Sequence, residues 1–119
     1  MSYNIKLKDE NGKLFTLNEP LEEGGTQKLG GNTETWFNVT YNYAWYYYMF
    51  LDKEKGIRWL YGKKAKDCIE RLEKAIEPFK DVSPYKRDYW VPVLENCVHP
   101  LKIFLEWCKK FPEGVFDGD

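Results

Sequence analysis

A length of 119 residues fits a single domain, because domains are most often about 100 to 150 residues long. Hydrophobic residues make up 43% of the chain and charged residues 31%, a balance that excludes a disordered protein. Eighteen basic against nineteen acidic side chains give a net charge of -1, so we expect no non-specific binding to nucleic acid and no attraction to an anionic membrane. The unusual feature is the aromatic content of 18%.

The N-terminal segment lacks the basic and apolar regions of a secretory signal, so we expect a cytoplasmic protein. The longest apolar run, residues 43–51, is much shorter than the ~20 residues of a membrane-spanning helix. The three cysteines, Cys68, Cys97 and Cys108, do not have the spacing of metal ligands. We therefore expect buried, reduced thiols and no transmembrane segment.

Apolar and polar side chains alternate in residues 3–7 and again in residues 15–17, as in strands that bury one face. A turn signal containing Gly12 lies between the two segments. A three-residue loop with Gly12 in the left-handed conformation would pair the apolar residues, Leu7 opposite Phe15 and Ile5 opposite Leu17. The sequence therefore predicts an N-terminal hairpin.

The next segment, at about residues 18–35, contains Pro20 and two Gly-Gly pairs and almost no large apolar residue. This composition predicts a long mobile loop. Alternation resumes in residues 36–41 and predicts a third strand. An aromatic segment at about residues 45–53 predicts a short helix.

Two longer helices follow, because apolar residues recur at spacings of three and four in residues 64–79 and 96–111. The first stripe is Ala65, Cys68, Ile69, Leu72, Ala75, Ile76 and Phe79, and the second is Cys97, Leu101, Phe104, Leu105 and Cys108. The predicted fold class is α+β, with a small antiparallel sheet made of the hairpin and one strand, packed against two to three helices.

Catalytic chemistry has few candidates. The one histidine, His99, is predicted to be exposed in the first turn of the last helix, where it cannot pair with Cys97. The Gly62-Lys63-Lys64 segment departs from a phosphate-binding loop, because Gly56 has the wrong spacing and no Ser or Thr follows the lysine. We therefore expect no enzyme, no metal and no cofactor.

A weaker pattern suggests a binding site for a small anion at the start of the helix at residues 64–79. Free backbone N–H groups there favour negative charge, and Arg58, Lys63 and Lys64 can add hydrogen bonds. Tyr41, Tyr43, Trp59 and Tyr61 could stack a nucleobase or contact a protein. The alternative is a simple turn with solvated lysines, and aromatic residues that fill the core.

Four stretches are similar to a family of small uncharacterised proteins encoded by phages and prophages: Thr40-Tyr41-Asn42-Tyr43, Gly56-Ile57-Arg58-Trp59-Leu60-Tyr61-Gly62-Lys63, Asp88-Tyr89-Trp90, and Pro112-Glu113-Gly114-Val115-Phe116-Asp117-Gly118-Asp119. The resemblance extends from about residue 36 to residue 119. The resemblance implies a viral origin, but it supplies no established activity.

Two functional hypotheses follow. The leading one is a non-enzymatic phage protein that sequesters a nucleotide-type signal of host defence. The alternative is an inhibitor that binds and blocks a host defence protein through an aromatic surface. The sequence leaves open whether the chain forms a homo-oligomer.

Overall fold

The computed structural model describes residues 1–23, 28–82 and 91–119, and the side chains within 1–18, 33–82 and 91–119. The strands are β1 (Ser2–Lys8), β2 (Thr16–Glu23), β3 (Lys28–Glu34), β4 (Trp36–Thr40) and β5 (Val115–Asp117). The helices are α1 (Ala44–Phe50), α2 (Ile69–Ile76) and α3 (Leu94–Lys110). Short 3₁₀ turns cover Tyr41–Tyr43, Gly56–Leu60, Ala65–Asp67 and Glu77–Phe79. The α+β class predicted from the sequence is confirmed.

β1 is the central strand of a three-stranded antiparallel sheet in the order β4-β1-β5. Its register places Tyr3 opposite Val39 and Ile5 opposite Phe37, so apolar side chains of both strands meet on the helix-covered face. Leu7 lies opposite Phe116 of β5, which is too short to be visible as a pattern in the sequence. The sheet thus joins the two ends of the described chain.

The predicted N-terminal hairpin is corrected at this point, because β2 pairs with β3 in a separate two-stranded sheet. A turn with Gly12 at a φ of 79° does form, and one isolated bridge joins Lys8 to Leu14 in the predicted register. The pairing goes no further, because Thr35 lies between Leu7 and Phe15. Its N–H donates to the Phe15 carbonyl, and its carbonyl accepts from the Leu7 N–H, both at 3.0 Å.

The loop predicted at residues 18–35 is also corrected, since most of it belongs to β2 and β3. After Leu17 these strands contain few large apolar residues, so hydrophobic alternation gives no signal for most of their length. One glycine pair of that segment falls at residues 24–25, outside the described residues.

The predicted helices are confirmed, with shifted ends. The region predicted at residues 64–79 is α2 flanked by two 3₁₀ turns, and Leu72, Ala75 and Ile76 are buried in it. α3 begins two residues before the predicted start, so Pro100 lies beyond the first turn instead of near it. The predicted exposure of His99 is wrong: its ring is half-buried beside Phe37, with ring centroids 6.5 Å apart.

The core lies between the sheet and the three helices, and aromatic side chains fill much of it. Tyr46 and Tyr47 of α1 are fully buried and donate their hydroxyl protons to the carbonyls of Ala75 and Cys97, each at 2.9 Å. These bonds satisfy two phenol groups that would otherwise be costly to bury. All three cysteines are buried, as predicted. Among the described residues, no helix combines the length and the apolar character needed to cross a membrane.

Candidate functional site

The backbone donors at the start of the α2 region are occupied by another part of the chain. The Ala65 N–H donates to the Gly114 carbonyl at 2.7 Å, and the Lys66 N–H donates to the Pro112 carbonyl at 3.0 Å. An anion at this helix start would have to displace both carbonyls. The sequence pattern identified the donors, but their acceptors come from a turn that is distant in the chain.

The lysines at this position already have a counter-charge. The Glu113 carboxylate lies 3.2 Å from the Lys64 ammonium and 3.1 Å from that of Lys66. Hydrogen bonds from Lys66 and then Lys64 hold the pKa of Glu113 below its usual range. Lys64 is therefore already paired with an acid of the same chain, in an ion-pair cluster on the protein surface.

Trp59 and Lys63, both predicted ligand residues, contact each other instead of a common open site. The Lys63 ammonium donates to the Trp59 carbonyl at 2.6 Å and lies 4.3 Å from the centroid of its ring. The guanidinium of Arg71 also lies 4.3 Å from this centroid. The indole that was predicted to stack a base, which is partly exposed, thus already contacts two cations of the chain.

Three other predicted residues, Arg58, Tyr41 and Tyr61, come together around Tyr3. The Arg58 guanidinium lies 4.9 Å from the centroid of the Tyr3 ring and donates from Nη2 to the Tyr41 hydroxyl at 3.2 Å. The Tyr61 hydroxyl donates to the backbone oxygen of Asp119 at 3.1 Å, and Arg58 Nη2 lies 3.5 Å from the same oxygen. We call these residues, Tyr3, Tyr41, Arg58 and Tyr61, the Arg58 cluster.

Burial raises the pKa of both Tyr3 and Tyr61, and Arg58 lowers each in part. The two phenols are therefore neutral hydrogen-bonding groups at physiological pH. Tyr43, the remaining predicted ligand residue, is fully buried and cannot contact a ligand.

Sequence reasoning missed a second feature, an exposed apolar face on α1. Its members are Trp45, Tyr48 and Met49, which are 41%, 39% and 67% exposed. Their spacing of three and four residues places them on one side of the helix. The all-round aromatic character of this segment was visible in the sequence, but which side faces the core is decided by packing.

Tyr48 connects this α1 face to the Arg58 cluster. Its ring packs against Gly56, two positions before Arg58, so closely that a Cβ at Gly56 would lie 3.3 Å from the ring. Burial is the main reason why the pKa of Tyr3 is raised, and Arg58 opposes it. The nearby Tyr48 hydroxyl raises this pKa further. The α1 face therefore borders the turn that carries Arg58.

One cleft in the described part of the chain borders the Arg58 cluster: it lies next to Trp36 and is also lined by Asp119, whose backbone oxygen contacts Arg58 and Tyr61. A cleft of 480 Å³ lies between the turn after β1 and the turn before β5, next to Phe15 and Glu113. Smaller ones of 320 Å³ and 270 Å³ lie beside Trp36 and Trp59. Within the described ranges, His, Cys, Asp and Glu side chains form no group that could hold a metal ion.

The chain has no significant match to a known family model, to a curated protein or to a solved structure. The resemblance to phage proteins therefore stays a prediction.

Proposed function

We propose that this protein is a non-enzymatic binding protein of a phage that blocks a host defence protein by direct contact through the α1 face. One observation carries the proposal. The large hydrophobic side chains that are exposed in the described part of the chain are Met1, Trp45, Tyr48 and Met49, and the last three share one side of one helix. Contiguous apolar exposure of this kind is typical of interaction sites.

The α1 face is rigidly mounted, which reduces the entropy lost on binding. On the opposite side of α1, Tyr46 and Tyr47 are fixed in the core by their hydrogen bonds to Ala75 and Cys97. Trp45 packs against this part of the helix as well, since its ring meets the Tyr46 ring edge to face with the centroids 5.8 Å apart. Fixed tryptophan and tyrosine side chains are common in the energetically dominant parts of protein interfaces.

The proposal is tested by phage plating on bacteria that carry individual defence systems. We expect expression of the wild-type protein to restore plaque formation against at least one system, and the double variant Trp45→Ala, Met49→Ala to abolish the effect. The matched control, Glu73→Ala with Lys74→Ala, changes two exposed residues of α2 and should retain full activity. Equal activity of a folded Trp45→Ala, Met49→Ala variant would exclude the α1 face.

The second candidate is sequestration of a nucleotide signal, which the Arg58 cluster favours because it combines a guanidinium with tyrosine rings. The helix start of α2 no longer supports this candidate, since its donors and lysines have partners in the chain. Thermal melting with a panel of linear and cyclic nucleotides separates the two. A stabilisation that Arg58→Gln removes would favour sequestration over protein blocking.

A further inference from the structure

We infer that Arg58 is the charged anchor of this surface, and that the partner protein presents an Asp or Glu carboxylate to it beside apolar residues that cover the α1 face. The inference rests on the proposed function, which supplies the partner. It adds the chemistry that the partner must have.

The Arg58 guanidinium has hydrogen-bond donors that are not used within the described structure. Of the two arginines in the described part of the chain, Arg71 forms an ion pair with Asp52 at 2.9 Å, whereas Arg58 is paired with no acidic side chain. The hydrogen bonds of Arg58 leave from Nη2 alone. The N–H groups on Nε and Nη1 have no acceptor among the described residues, and the side chain is exposed.

The Arg58 guanidinium is preorganised for binding. The Tyr3 ring beneath the guanidinium and the Tyr41 hydroxyl at its edge hold Arg58 in one orientation. A positioned guanidinium loses little freedom when it binds a carboxylate, and its planar geometry allows two parallel hydrogen bonds. The contact with the Asp119 backbone oxygen is long, at 3.5 Å, so a partner carboxylate that approaches more closely can replace it.

The surface next to Arg58 carries an excess of positive charge. The segment that leads from α1 to Arg58 contains Lys53 and Lys55, both exposed and without a carboxylate partner in the described structure, and one exposed acid, Glu54. Asp52 is already neutralised by Arg71. The edge of the apolar face is therefore basic, although the whole chain has a net charge of -1. Electrostatic complementarity favours an acidic partner surface.

The test uses a photo-cross-linking amino acid in place of Met49, in cells of the bacterial host. Mass spectrometry identifies the cross-linked protein and the segment that contacts position 49. We expect this segment to carry Asp or Glu next to apolar residues. With the identified protein purified, Arg58→Gln should weaken binding at least tenfold, whereas Lys74→Ala, a matched loss of an exposed cation on α2, should leave affinity unchanged.

A charge exchange completes the test. Replacing the partner's acid by Lys should abolish binding to the wild type, and Arg58→Glu should restore it. A cross-linked partner whose binding needs Trp45 but is indifferent to Arg58→Gln would overturn the anchor and leave the proposed function standing. The absence of any cross-linked protein that requires Trp45 would overturn both.

Discussion

Glu113 and Lys64 form an ion pair at 3.2 Å across the start of the α2 region, and this contact closes the anion site that the sequence suggests. The same turn provides the carbonyls of Pro112 and Gly114 to the backbone N–H groups of that helix start. Helix starts attract anions because their donors lack partners, and here the protein supplies the partners itself. Binding is therefore expected at the α1 face and the Arg58 cluster.

The closed helix start gives the first prediction. Replacing chloride by inorganic phosphate should raise the melting temperature of the wild type and of Lys64→Gln by the same amount, because the donors of Ala65 and Lys66 are already bonded and only the general salting-out effect of phosphate remains. Melting temperature in the two salts is the measurement. A phosphate-specific stabilisation that Lys64→Gln removes would contradict the closed state.

The second prediction concerns Thr35, the residue between Leu7 and Phe15. Its buried hydroxyl donates to the Leu7 carbonyl at 2.7 Å and accepts from the Phe15 N–H at 3.0 Å. Thr35→Val keeps the shape and removes both bonds, so the free energy of unfolding should fall by about 1 to 3 kcal/mol. Thr35→Ser keeps the hydroxyl and should lose much less in urea denaturation. Equal losses would show that packing, not hydrogen bonding, fixes this residue.

Packing of the helices gives the third prediction. Leu72 is fully buried in α2, whereas Leu105 of α3 is half-buried, although both lie on apolar stripes. Leu72→Ala should lower the free energy of unfolding by about 2 to 5 kcal/mol, and Leu105→Ala by less. The reverse order in chemical denaturation would contradict the described orientation of α3.

These comparisons show which parts of the fold are visible in the sequence. The stripes around Leu72 and Leu101 are local periodic patterns, and they predict the helices and most of their buried residues. Leu105, however, is only half-buried, and Trp107, which lies outside the predicted stripe, is buried. The sheet is different, because the insertion of Thr35 beside Leu7 and the pairing of Leu7 with Phe116 join distant segments. No local pattern indicates which strand will occupy each edge of β1.

The candidate site, too, combines features that are visible in the sequence with contacts between distant segments. Arg58 stands out in the sequence because apolar residues flank it, but its contact with Asp119 spans 61 positions. Tyr3 was predicted only as a strand residue, and its role beneath the guanidinium depends on how β1 meets the Gly56–Leu60 turn. The sequence therefore shows that position 58 is charged, but only the tertiary structure shows which residues surround the guanidinium.

The fourth prediction separates steric from conformational roles of glycine. A Cβ at Gly114 would lie 2.8 Å from both the Leu7 Cγ and the Phe15 Cε2 atoms, so Gly114→Ala should destabilise the protein by about 1 to 3 kcal/mol. Gly12 has a φ of 79° and open space around it, so Gly12→Ala should cost about 1 kcal/mol through backbone strain alone. Asn, which tolerates positive φ, should recover stability at position 12 and not at position 114, as measured by thermal unfolding.

The last prediction is a loss of stability in mild acid that depends on His99. Burial, reinforced by Lys102, lowers the pKa of His99 to about 4, whereas the imidazole in the unfolded chain titrates near its ordinary value of 6.5. Between these values the unfolded chain binds a proton that the folded protein does not, so acid favours unfolding. The contribution of the neutral ring is complete above pH 6.5 and is lost as the pH falls towards 4.

The difference between the two pKa values corresponds to about 2 to 3 kcal/mol over that range. The control is His99→Gln, which has no titrating ring. Unfolding free energies measured by urea denaturation from pH 7 to 4 should fall more steeply for the wild type than for His99→Gln, because carboxylates titrate in both proteins. Parallel curves would mean that the imidazole takes up its proton equally well in the folded protein, and that the contact with Phe37 leaves it open to water.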